Sequence, residues 1–285
     1  MADFEQQVFA APDGLALVGD VGGRPDAPAV VLLHGGGQTR HSWAGAMAAL
    51  VQAGYRVVNY DARGHGDSDW SPQADYTLPA FAADLQAVLD TLPGPVALVG
   101  ASMGGMTSFF AVGSRPQPRV RALVMVDITL RAAAAGAAKI RAFMSAHPEG
   151  FDSVEAAAAA VAAYNPSRPR PLDPSGLLKN LRRRENGRLY WHWDPRLLAV
   201  RPSAEPPEAG RDLERVSGNV RIPTLLVKGG HSDIVDEDGV AQMQRLVPQT
   251  EVWDVPEAGH MVAGDRNDAF NAGVLAFLRR HLPVR

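Results

Sequence analysis

Six short, nearly continuous apolar runs punctuate the chain, and each gives way to glycine and polar residues. They are AVVLLHGGG (29–37), YRVVNYDARGHG (55–66), PVALVGASMGG (95–105), RALVMVDIT (121–129), PTLLVKGGHSD (223–233) and EVWDVPEAGH (251–260). Runs of this length and β-branched content read as strands buried on both faces. Helix-like stretches lie between most of them, for example 42–53 and 77–92. Strand alternating with helix predicts an α/β protein with a mostly parallel sheet covered by helices on both faces. In such sheets ligands bind beyond the carboxyl ends of the strands. The glycine and polar residues fall at those ends, so the chemistry is expected along one edge of the sheet.

Residues 130–220 break this rhythm. They hold an alanine-rich helical stretch, SVEAAAAAVAAY, then the proline-rich NPSRPRPLDPSG, then LLKNLRRRENGRLYWHWDPR, and no strand of the parallel type. The segment reads as an insertion of helices between two strands of the sheet, leaving 1–129 and 221–285 as one core. Its Arg182–Arg184 run reads as a solvated helix face rather than an anion site.

Composition narrows the field. A chain of 285 residues fits one large domain, or one domain with an insertion. With no cysteine, thiol catalysis and zinc–thiolate sites are excluded. A net charge of -3 gives no reason to expect nucleic acid or a membrane surface as partner. The N-terminal MADFEQQVFAAPDG has neither the basic nor the apolar region of a secretory signal, so a cytoplasmic protein is expected.

The third run ends in Gly100-Ala101-Ser102-Met103-Gly104. Gly100, Gly105 and Thr107 keep the spacing of a phosphate-binding loop, but Met106 stands where that loop needs lysine. The five residues instead fit G-x-S-x-G, a sharp strand-to-helix turn that exposes one hydroxyl. A serine nucleophile needs a base, and the base needs an orienting acid; on this architecture they follow in the order Ser, acid, His. His34, His41 and His65 precede Ser102, His147 and His192 lie in the insertion, His231 precedes any acid in its loop, and His281 ends the last helix. His260, in PEAGHMV, is left as the base. Asp233 is the favoured acid; Asp127, at the end of the preceding strand, is its rival, while Asp236, Glu237 and Asp238 suit the start of a helix. The developing oxyanion would be met by backbone N–H groups of Gly36 and Met103, with Gly37 as a substitute for Gly36.

LLHGGG, DARGHGDS, GASMGG, GGHSD and PEAGHMV, in this order, resemble the α/β-hydrolases, most closely small bacterial serine esterases and cofactor-free haloperoxidase or perhydrolase relatives. The resemblance implies a sheet of about eight strands, a helical cap formed by 130–220, and a structural role for Asp61, Arg63 and Gly66. Ser102, where dehalogenases and epoxide hydrolases of this fold carry aspartate, argues against both of those activities. The expected function is hydrolysis of a small-molecule carboxylic ester through an acyl-enzyme, without metal or cofactor. Cleavage of a lactone, amide or carbon–carbon bond, or perhydrolysis, is the alternative, and a non-enzymatic binder the remote one. Trp191, His192 and Trp193, and Trp43 after the glycine loop, either line the substrate pocket or pack the interior.

Overall fold

The computed structural model describes residues 4–166, 172–198, 208–256, 258–259 and 267–284. Strands β1 (Glu5–Ala10), β2 (Ala16–Gly22), β3 (Ala29–Leu33), β4 (Arg56–Tyr60), β5 (Val96–Ala101), β6 (Val120–Val126), β9 (Thr224–Gly229) and β10 (Thr250–Val255) form one eight-stranded sheet. Their order across it is β1-β2-β4-β3-β5-β6-β9-β10. All pairings from β4 to β10 are parallel; β2 meets β4 and β1 meets β2 antiparallel. This is the α/β-hydrolase arrangement that the resemblance implied.

Alternate residues of each strand feed two separate layers, because successive side chains in a strand point to opposite faces. On β3, Val30 and Leu32 join Trp43 and Met47 together with Phe270 and Phe277 of the C-terminal helix. Val31 and Leu33 join Leu85, Phe109 and Met243 on the other face. The helices are α1 (Ala44–Gln52), α2 (Leu78–Asp90), α3 (Met103–Ser114), α4 (Ala134–Ser145), α5 (Val154–Tyr164), α6 (Glu208–Ser217), α7 (Glu237–Leu246) and α8 (Asn267–His281). Asp236 caps α7 by accepting the Gly239 N–H at 2.7 Å, with Glu237 and Asp238 in the first turn, as their acidity predicts.

Between β6 and β9 the chain builds α4, α5, a hairpin of β7 (Leu181–Arg183) and β8 (Leu189–Trp191), and α6. The hairpin corrects the expectation of helices alone. Arg182 lies in β7, not on a helix, and its guanidinium donates to the Gly66 carbonyl while lying over the Trp70 ring. Met144, Phe151, Leu189, Trp191 and Trp193 form a small apolar cluster of their own. Helix α6 behaves differently: its Leu213 and Val216 enter the sheet-facing layer beside α3. Gly113 of α3 is required there, since a Cβ on it would stand 2.7 Å from the Val216 carbonyl oxygen. No helix among the described residues is long and apolar enough to cross a membrane.

Candidate active site

Strand β5 ends at Ala101, and helix α3 begins at Met103, leaving Ser102 alone to make the turn at φ 47° and ψ -113°. A non-glycine residue there is strained, and such strain persists only where the surroundings over-determine it. Gly100 and Gly104 supply the fit. A Cβ on Gly100 would lie 2.3 Å from the Gly104 carbonyl oxygen, and one on Gly104 would lie 2.3 Å from the Leu33 carbonyl oxygen. The helix start therefore presses against the end of β3, and the serine is lifted onto the sheet's carboxyl edge. Its own N–H is held by the Val126 carbonyl at 3.0 Å.

The glycine loop after β3 lies alongside, a Cβ on Gly35 falling 3.4 Å from that of Ser102. Its three N–H groups have different fates. Gly35 donates to Gln38 Oε1 at 3.0 Å and Gly37 to His65 Nε2 at 3.1 Å. The Gly36 N–H has no hydrogen-bond partner among the described residues, and Met103, as the first residue of α3, has no intrahelical acceptor. Gly37 is thereby removed as a substitute for Gly36.

The orientation of the Gly36 N–H is set from behind. The buried His34 ring accepts the Ala62 N–H on Nε2 at 2.9 Å, so its proton sits on Nδ1 and is donated to the Gly35 carbonyl at 2.8 Å. That carbonyl and the Gly36 N–H belong to one planar trans peptide and point in opposite directions. Holding one end aims the other. Burial lowers the pKa of His34, keeping the ring neutral for this task.

The two acid candidates are placed very differently. Asp127 follows β6, adjacent to β5 in the sheet, and is fully buried at φ 50°. Its carboxylate accepts the Gly229 N–H at 2.9 Å and the Ser232 hydroxyl at 2.6 Å. Asp233 turns the other way: its side chain is 40% exposed and pairs with Lys139 of α4 at 2.7 Å. His260 lies outside the described residues. The segment that precedes it does not: a Cβ on Gly229 would meet the carbonyl oxygens of Gly259 at 2.5 Å and Ala258 at 2.7 Å. Gly259 thus packs on the same residue whose N–H holds Asp127.

The aromatic candidates divide. Trp43 is buried in the layer beneath α8, its ring 5.7 Å from that of Phe270, and is a core residue. Trp191 and Trp193 stack at 5.0 Å and 11°. Trp193 and Met144 stand over the glycine loop, each with an atom 3.4 Å from where a Gly37 Cβ would be, and the Met103 and Met144 sulfurs approach Gly36. His192 is buried, and among the described residues its ring bonds only backbone groups.

A family model described as alpha/beta hydrolase fold matches residues 28–266. The chain is 34% identical to sn-1-specific diacylglycerol lipase ABHD11 of Mus musculus over 88% of its own length and 81% of the lipase. It is 32% identical to Esterase Rv0045c of Mycobacterium tuberculosis over 84% and 79%. The crystal structure of that esterase superposes with a TM-score of 0.78 over 98% of this chain and 91% of the esterase, at 28% identity. E-2-(acetamidomethylene)succinate hydrolase superposes at 0.83 over 97% and 99%, and its 23% identity carries the fold alone. In sequence, in strand order and in the glycine-bounded serine turn, the chain belongs to the α/β-hydrolase fold family.

Proposed function

We propose that this hydrolase cleaves carboxylic esters through an acyl-enzyme on Ser102, with His260 as the base, Asp127 as the acid, and the N–H groups of Gly36 and Met103 as the oxyanion donors. The observation that carries the reading is the juxtaposition of the strained Ser102 with the pre-aimed Gly36 N–H, which has no partner among the described residues. An ester is the chosen bond because relatives at 32–34% identity bear lipase and esterase names.

In the first step the Ser102 oxygen attacks the ester carbonyl carbon as His260 takes its proton. Negative charge collects on the former carbonyl oxygen, where fixed donors are worth more than in water because they need no reorganisation. The alkoxide then leaves with the proton from His260, and water repeats the sequence to release the acid. Asp127 fixes the tautomer of His260 and stabilises the imidazolium. Asp127 is preferred to Asp233 because it is buried at the strand end beside Ser102, already held by two donors, and next to the residue on which Gly259 packs. Within 130–220, α4, α5 and the β7–β8 hairpin serve as a cap, with Met144 and Trp193 closing the acyl side of the site, while α6, packed on α3, belongs to the core.

The test is Ser102→Ala with p-nitrophenyl butyrate, together with mass spectrometry after a fluorophosphonate. Turnover should vanish with the fold retained, and the wild type should carry one adduct, on Ser102. An adduct elsewhere, or undiminished turnover, overturns the assignment.

A further inference from the structure

Two buried histidines grip Gly37 from opposite sides. His65 of the core accepts the Gly37 N–H on Nε2 at 3.1 Å, while its Nδ1–H goes to the Arg63 carbonyl at 3.1 Å. His192 comes from the segment between β6 and β9. Its Nδ1 accepts the Gly66 N–H at 2.7 Å, so the proton is on Nε2 and is donated to the Gly37 carbonyl at 3.3 Å. The rings of His34, His65 and His192 succeed one another at 5.1 and 5.9 Å. Gly37 sits at φ 72°, where glycine turns easily, and these two bonds, together with the Gln38 N–H closing a turn on the Gly35 carbonyl at 3.1 Å, fix the peptides flanking it. Gly36 lies one residue away and shares a peptide with Gly37.

We infer that His192 is a positioning residue for the oxyanion loop, coupling the docking of the cap to the geometry of the Gly36 donor. The inference rests on the reading of Gly36 given above. Two further ties bring the cap to the same place: Thr39 Oγ1 donates to Oδ1 of Asn180, whose carbonyl accepts the His192 N–H within the cap, each at 3.1 Å, and the Asp194 N–H bonds the Gly64 carbonyl at 2.9 Å. Cap and loop are thus one hydrogen-bonded unit. Burial and the neighbouring His34 push the His192 pKa down to about 3, so the ring keeps the neutral form that the two bonds demand.

Two substitutions separate the ring's two bonds. In His192→Gln the side-chain amide nitrogen reaches the place of Nε2 and can still donate to Gly37. In His192→Asn the amide oxygen takes the place of Nδ1 and accepts from Gly66, and the Gly37 bond is lost. With p-nitrophenyl acetate, and rates normalised to Ser102 titrated by fluorophosphonate, His192→Asn should lose about tenfold in kcat with KM within about twofold, the size of one neutral hydrogen bond. His192→Gln should stay within about threefold of wild type, also on the scale of a fraction of such a bond. Affinity for a trifluoromethyl ketone, which forms the tetrahedral oxyanion, should fall in His192→Asn by the factor seen in kcat.

Wild-type kcat in His192→Asn, or equal losses in both variants, overturns the inference. Neither outcome disturbs the assignment of Ser102, which the labelling tests independently. A measurement on the unmodified enzyme guards against variants that fail to fold. Nitrogen-15 shifts of the His192 ring at neutral pH should show protonated Nε2 and bare Nδ1, and the opposite tautomer or an imidazolium would refute the coupling.

Discussion

Replacing Asp127 by asparagine and Asp233 by asparagine should separate the two acids by orders of magnitude. Asp127→Asn keeps the shape of a fully buried side chain but removes its charge. Its oxygen can still accept from Gly229, while its NH₂ then faces the Ser232 hydroxyl, whose oxygen already accepts from the N–H groups of Ile234 and Val235 at 3.1 Å each. One donor is left badly matched, a cost of about 1–3 kcal/mol in stability. The catalytic loss is larger, because an amide favours the wrong imidazole tautomer and no longer stabilises the imidazolium. In a comparable triad that change lowers kcat by about 10⁴, or roughly 5.5 kcal/mol of barrier. We expect a fall of about 10³–10⁴ in kcat with KM little changed. Asp233→Asn breaks only an ion pair whose two side chains are 40% and 53% exposed, worth about 0–1 kcal/mol, and should leave kcat within about threefold. The assay is steady-state hydrolysis of p-nitrophenyl butyrate, normalised by active-site titration and accompanied by thermal melts. A crippled Asp233→Asn beside a near-normal Asp127→Asn would return the acid to the β9 loop and refute the reasoning.

Acid should destabilise the fold through the buried histidines. Burial lowers the pKa values of His34, His65 and His192, the last to about 3, so the unfolded chain binds their protons first as pH drops. Stability should therefore be fully present above about pH 6.5 and fall below it by about 1.4 kcal/mol per pH unit for each ring until its native pKa is reached. Urea unfolding from pH 8 to 4 measures this; His192→Gln should make the acid limb shallower by one such increment, and an unchanged slope would contradict the neutral ring. Trp193→Ala should shift the ratio of kcat/KM between p-nitrophenyl acetate and octanoate by about tenfold. A variant that only melts earlier, with the same ranking of esters, would assign Trp193 to packing.

The six parallel strands and the serine turn were legible because each is written locally, as an apolar run or as glycines at fixed spacing; the runs are largely buried except β10, which lies at the sheet edge with two of its six residues buried. The β1–β2 hairpin escaped because β1 is an edge strand with five of its six residues exposed, so no apolar alternation marks it. The β7–β8 hairpin escaped because its strands are three residues long and stabilised by Phe151 and Trp191 packing rather than by pattern. How the two acid candidates face could not be read from the chain for a different reason. In GGHSD the residue that turns inward is Ser232, which bonds Asp127, while its neighbour Asp233 turns outward to Lys139. A loop's facing depends on a rotation that composition does not encode. His192 was visible as a pocket candidate, but its two backbone partners, 126 and 155 residues away in the chain, were not.

The segment between β6 and β9 leaves and re-enters the core at nearly one point. Leu130 and Leu213 belong to the same apolar layer, and a Cβ on Gly210 would stand 3.4 Å from the Leu130 carbonyl oxygen. The core itself holds the two ends together, so the chain between them is a closed loop whose closure entropy grows only with the logarithm of its length. Doubling that length adds about 0.6 kcal/mol. The segment is therefore exchangeable: it can lengthen, shrink or be replaced by that of a relative while the β5–α3 turn stays where it is. Such a graft inherits the Ser102 turn intact, yet it brings its own substitute for the side chain that holds Gly37, or none. Hybrids of this kind should fold more readily than they turn over.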